Sequence, residues 1–188
     1  GQPVQHFLIS SQSKAADQAV IHRGNTRVSV LTPRIIRIEH DPSRRFEDRP
    51  SQHFWNRRLP VPAFSVADDG GFVCIETGNI RLRIPLDGIP TPENVFVVGE
   101  EPVPVSSGET GNLGGCLRTL DTVRGRWNYK EGRFVAPAPG LMSRAGWTSI
   151  DDSAGLVFDT NGFLTPREPG TSDWYVFACG RDFAGALR

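Results

Sequence analysis

Val73-Cys74-Ile75-Glu76-Thr77-Gly78-Asn79-Ile80-Arg81-Leu82-Arg83-Ile84 is the stretch on which the fold turns. Two β-rich runs flank Gly78-Asn79, a pair that reads as a tight hairpin turn because such turns call for positive φ. In the second run Ile80, Leu82 and Ile84 share one side, while Arg81 and Arg83 share the other. A strand with one apolar face asks for a second layer to cover it. Working outward, Thr26-Arg27-Val28-Ser29-Val30-Leu31 also alternates polar with apolar, and Arg34-Ile35-Ile36-Arg37-Ile38-Glu39 is a second β-rich run after Pro33. Further strand candidates are 95–98, 117–120, 147–150, 156–158 and 174–178. Helix signals are weak: Ser13–Val20 has room for two turns, and Asp182–Leu187 reads as a helix start capped by Asp182. The 20 glycines and 15 prolines are spread along the whole chain, as short strands with many turns require. The expected fold is all-β, an antiparallel β-sandwich with few short helices and long loops around 41–70 and 106–146.

Length and charge bound the rest. The 188 residues suit one domain at roughly 100–200 residues each. The 21 basic residues match the 21 acidic ones, so no surplus positive charge drives phosphate binding, and nucleic acid is not expected as a partner. Apolar runs are too short for a membrane span. No leader peptide and no Asn-x-Ser/Thr acceptor is visible, and the sequence assigns no compartment. Only Lys14 and Lys130 are lysines among the basic residues, which reads as a compositional bias toward arginine. Cys74, Cys116 and Cys179 lie far apart with no Cys-x-x-Cys pair, so buried free thiols are expected rather than a zinc or redox site.

The catalytic patterns weighed against the chain do not fit it. It has no Gly-x-Ser-x-Gly elbow and no phosphate loop ending in Gly-Lys. His6, His22, His40 and His53 are scattered rather than clustered, so neither a metal nor a cofactor is expected. Adjacent acidic pairs occur at 47–48, 68–69, 100–101 and 151–152, but neighbours on a strand point to opposite faces and so cannot form a glycosidase dyad by themselves. Asp68-Asp69-Gly70-Gly71 reads as a turn. Asp151-Asp152-Ser153 does too, since such side chains bond their own backbone. Its position after Ser143-Arg144-Ala145-Gly146-Trp147 nevertheless places Arg, Trp and carboxylates near one loop, as sugar sites do.

Four segments together resemble a known family. They are Leu31-Thr32-Pro33-Arg34-Ile35-Ile36-Arg37-Ile38-Glu39, continuing through Phe46-Glu47-Asp48-Arg49-Pro50 to Arg57; Asn112-Leu113-Gly114-Gly115-Cys116-Leu117-Arg118-Thr119-Leu120-Asp121; Leu141 to Ser153; and Asp173-Trp174-Tyr175 to Leu187. In this order they resemble the N-terminal region of glycoside hydrolase family 31, the α-glucosidase and α-xylosidase group. The resemblance implies a galactose-mutarotase-like β-sandwich over residues 1–180, with 181–188 beginning the approach to a catalytic (β/α)₈ barrel, in cis or on a second chain. It implies that both catalytic aspartates lie on that barrel, leaving no catalytic residue here. It also implies a loop lent to the site of an α-linked glucoside or related sugar, with Arg144 and Trp147 as the substrate-facing candidates. Ala145 stands where many relatives carry Asp. Structural or interface roles are expected for Asp48, Arg49, Arg118, Asp121, Asp151 and Asp152. The alternative is a free-standing carbohydrate-binding module using Trp55, Trp127, Trp147 or Trp174, with Trp174 expected in the core. A mutarotase-type epimerase ranks last, because all four histidines precede residue 54.

Overall fold

The computed structural model describes residues 11–98, 103–104, 126–128, 133–135 and 147–178. Among them the strands are β1 (Val20–Arg23), β2 (Thr26–Thr32), β3 (Ile35–His40), β4 (Phe64–Asp69), β5 (Phe72–Thr77), β6 (Arg81–Pro85), β7 (Phe96–Val97), β8 (Val103–Pro104), β9 (Arg126–Asn128), β10 (Arg133–Val135), β11 (Trp147–Asp151), β12 (Val157–Phe158), β13 (Leu164–Thr165) and β14 (Ser172–Ala178). One five-stranded sheet runs β1-β2-β3-β14-β11 and a second runs β4-β5-β6-β7-β8. Neighbouring strands in both are antiparallel. The pairs β9–β10 and β12–β13 form separate hairpins. The molecule is an antiparallel β-sandwich, as the alternating runs led one to expect.

The two sheets meet through their apolar faces. Val28, Val30, Ile36, Ile38, Trp174 and Val176 of the first pack with Val73, Ile75, Leu82 and Ile84 of the second. Burying one such side chain is worth about 1.5–3 kcal/mol, so this layer dominates the cohesion of the sandwich. The first sheet is covered on its other face as well. There Leu31, Ile35, Tyr175 and Phe177 pack with Phe54, which comes from the segment between β3 and β4. An alternating antiparallel strand ordinarily turns its polar side to water. Here every residue of β3 is buried, polar ones included.

Several local expectations change. The 13–20 stretch forms only a short 3₁₀ turn, Asp17–Ala19, and Val20 already opens β1. The first long loop ends at residue 63, one residue before β4 begins, and the 106–146 region contains the β9–β10 hairpin. The β5–β6 hairpin exists, but neither Gly78 nor Asn79 takes positive φ. Thr77 builds that turn instead: its Oγ1 accepts from the amides of Asn79 (3.1 Å) and Ile80 (3.0 Å). Positive φ is used in the β4–β5 turn, at Gly70 and Gly71 (52° and 89°). Cys74 is a free thiol but only half-buried, because it falls on the outer face of β5. The strand expected at 117–120, the helix start at 182–187, Cys116 and Cys179 lie outside the described residues.

Candidate functional site

The register of the first sheet sets the site. Arg27 on β2 lies opposite Glu39 on β3, and Glu39 lies opposite Asp173 on β14. One row along, Arg37 lies between Ser29 and Tyr175. All these side chains project from the outer face, the one not used for the inter-sheet core. Arg27 forks onto Glu39 through Nε–Oε2 (2.7 Å) and Nη2–Oε1 (3.0 Å). Arg37 forks onto Asp173 at 2.8 and 2.7 Å, and its Nη2 also reaches Glu39 Oε1 at 3.1 Å. The side chains of Arg37, Glu39 and Asp173 are only 2%, 3% and 3% exposed. Burial alone would raise the Asp173 pKa. The charge and hydrogen bonds of Arg37, with Arg167 and Arg57 beyond, instead hold that carboxyl far below the usual carboxylate range.

The 41–63 loop is fastened over this row. Its first turn is wound on Asp41, whose carboxylate accepts from the amides of Ser43 (2.7 Å) and Arg45 (2.9 Å) while Arg44 adopts φ 56°. The carbonyl of Glu47 accepts from Arg27 Nη2 (3.2 Å) and Arg37 Nη2 (2.8 Å), and its amide donates to Glu39 Oε1 (3.1 Å). Asp48 Oδ1 accepts from Arg27 Nη1 at 2.7 Å. The Glu47 side chain is forked by Arg49, with both bonds at 2.8 Å. Farther along, Arg57 Nε donates to the Tyr175 hydroxyl (2.8 Å), and its Nη1 donates to the carbonyls of Ser13 and Arg49. Phe54 stacks on Tyr175 with ring centroids 3.7 Å apart. Burial pushes the Tyr175 phenol up to about 12.

A turn after β11 completes the cluster. Asp151 is exposed, and its Oδ1 accepts from the Ser153 amide (2.9 Å), closing the turn that its sequence suggests. Asp152 is buried: Oδ2 accepts from Arg167 Nη2 (2.6 Å), and Oδ1 meets His53 Nδ1 (2.8 Å). Gly155 packs so tightly against it that an added Cβ would collide with Asp152 Oδ1. Arg167 also bonds Asp173 and the Gly155 carbonyl. The result is an unbroken file of alternating charge, Asp48, Arg27, Glu39, Arg37, Asp173, Arg167 and Asp152, ending on His53, which is positive when protonated.

A cleft of about 240 Å³ opens beside this file, with Arg45, Phe46, Arg49 and Glu168 among its walls and Glu39, Arg167 and Asp173 at its base. The chemistry follows from occupancy. Glu39, Asp152 and Asp173 each accept from one or more arginine side chains, and the depressed pKa of Asp173 leaves that group without a proton to donate near neutrality. Glu39 and Asp173 share Arg37, so they cannot flank a scissile bond as a glycosidase pair does. Among the described residues no group of His, Cys, Asp and Glu is gathered to hold a metal, and no helix is long and apolar enough to cross a membrane. The arrangement holds loops in place.

Of the residues singled out from sequence, Asp48, Arg49 and Asp152 come together here, and Asp151 caps the adjoining turn. Trp147 is buried in the inter-sheet core, its Nε1 without a partner among the described residues. Trp174 is also core, with Nε1 donating to the Pro90 carbonyl (3.2 Å), and Trp55 meets Phe158 edge-on. Arg144, Arg118 and Asp121 lie outside the described residues. Sequence reading missed Arg27, Arg37, Glu39, His53, Arg57, Arg167 and Asp173. The available signal was the charge on the polar face of β2 and β3, where Arg27, Arg37 and Glu39 recur at alternate positions.

No family model matches the chain, and no curated protein does. Among solved structures, it is similar to a GH31 alpha-xylosidase from Xanthomonas citri. The similarity covers 73% of this chain and 16% of that one, at 19% identity and a TM-score of 0.35. The chain thus spans under a fifth of that enzyme's length.

Proposed function

We propose that this chain is the non-catalytic, N-terminal β-sandwich of a family 31 α-glycosidase, a galactose-mutarotase-like domain over residues 1–180 with 181–188 leading toward a catalytic barrel. The observation that carries the reading joins sequence to geometry. Three of the four segments that resemble the family supply Arg37, Glu39, Asp48, Asp152 and Asp173, and these residues meet in one ionic file that is buried except at its Asp48 end. Segments that resemble one family in sequence and interlock in space are what a shared domain design would preserve. Because each carboxylate of this file is engaged by at least one arginine, the domain's part is to hold loops. The retaining chemistry on an α-linked glucoside would belong to aspartates on the barrel. Arg144 is the residue proposed to approach the sugar. Trp147, with its ring in the inter-sheet core, is proposed to serve the sandwich rather than to meet the sugar.

The test has two arms. Native mass of the protein from its source should include a barrel of about 250 further residues, on the same chain or a tightly held partner. The 188-residue chain by itself should show no α-glucosidase turnover above buffer. A lone monomer of 20.7 kDa, or clean turnover by it, would overturn the reading.

A further inference from the structure

We infer that the His53–Asp152 contact is a proton-operated latch fastening the outer end of the 41–63 loop to the 151–155 turn. The two sides of the contact differ in freedom. The His53 side chain is 50% exposed, whereas Asp152 is 0% exposed. Asp152 is held from following the imidazole outward, since Arg167 Nη2 holds Oδ2 at 2.6 Å and its carbonyl accepts from the Gly155 amide at 2.9 Å. A change in the strength of the contact is therefore expressed as movement of the loop. The groups facing His53 are Asp152 from the turn, Arg167 from the segment before β14, and the edge of Phe54 on its own loop. Its amide is anchored separately, to Ser51 Oγ at 3.3 Å.

The imidazolium gives a charge-assisted bond to a buried carboxylate. The neutral ring keeps at most an ordinary one through an Nδ1 proton. The hydrogen bond to Asp152 is the main influence on His53 and raises its pKa, outweighing burial and the opposing charge of Arg167. The sign follows: the latch is fully engaged below the ordinary histidine value of about 6.5 and is lost as pH rises through the raised one. His22 and His40 are shifted downward, chiefly by burial, and so titrate apart from it.

The experiment is amide hydrogen exchange of residues 51–58 in this chain, corrected for intrinsic rates, at about pH 5 and about pH 8.5 on either side of the titration. Opening should be roughly fivefold more frequent at the higher pH, the difference between a charge-assisted and a neutral bond. In His53→Gln, which keeps a donor but does not titrate, opening should not vary with pH. Equal opening of the wild type at both pH values overturns the latch, as does a pH dependence that survives in His53→Gln. An NMR titration of the wild-type imidazoles needs no variant: His53 should titrate above about 6.5, and a value below it overturns the inference.

Discussion

Glu39 and Asp173 are direct cross-strand neighbours, two buried carboxylates side by side, and a single guanidinium, that of Arg37, bonds both. Like charges facing each other across a ladder destabilise a sheet. Arg37 converts the repulsion into an attachment, and with Arg27 it also holds the Glu47 carbonyl of the covering loop.

Neutralising one member should therefore be severe. Asp173→Asn leaves Arg37 and Arg167 buried without their shared anion, a loss of about 3–5 kcal/mol. Urea unfolding should show a much lower midpoint. A midpoint within error of wild type would mean that the file contributes little.

Acid should act through the same group. The folded Asp173 pKa is depressed, so its stabilisation is complete above the unfolded value of about 3.9 and is lost as pH falls through the folded value. Glu47, also lowered because Arg49 bonds it against the cost of burial, adds in the same direction. Melting temperature should decline progressively below about pH 4. That decline should be shallower in Asp173→Asn, from its lower starting point.

Gly155→Ala should displace Asp152, because the new methyl would occupy the place of its Oδ1. A loss of about 1–3 kcal/mol, as for other overpacked sites, is expected in thermal unfolding. Preserved stability together with an unshifted His53 titration would show that the turn relaxes freely.

Phe54→Ala removes the ring stacked on Tyr175 and should cost about 3–5 kcal/mol. Proteolysis should then cut first within 41–63, since that segment loses its apolar anchor. Cleavage elsewhere first would assign the anchoring to the arginines instead.

For the complete enzyme proposed above, Arg144→Ala should lower kcat/KM if the side chain meets the sugar in the transition state. Unchanged kinetics would leave it a structural role.

The sandwich was legible because the inter-sheet core follows period-two alternation, and Ile80, Leu82 and Ile84 face inward as their spacing requires. The covering of the first sheet was not. Nothing local in Arg27-Val28-Ser29 says that the polar side will be buried, because the loop and the carboxylates that bury and satisfy it arrive from elsewhere in the chain. Arg37 and Asp173 are 136 positions apart, beyond the reach of any spacing rule. Asp48 and Asp152 stood out as members of acidic pairs, but their structural roles, and that of Arg49, came only with the family resemblance, and the residues that join them were not found. The Gly78-Asn79 turn misled for a different reason: Thr77 supplies a side-chain acceptor that lets the backbone turn without left-handed geometry.

β14 follows every other described strand in the chain yet sits inside the first sheet, between β3 and β11. The sandwich is thus closed by a late arrival, and His40 of β3 waits for Ser172, its partner in the ladder. A ribosome-bound chain that stops short of Ser172 holds Arg37 with no Asp173 to meet it, so cooperative folding of the sandwich must await β14. Conversely, an early and a late fragment should recognise each other when supplied separately, because the contacts that complete the sheet and its ionic file run between them rather than within either one.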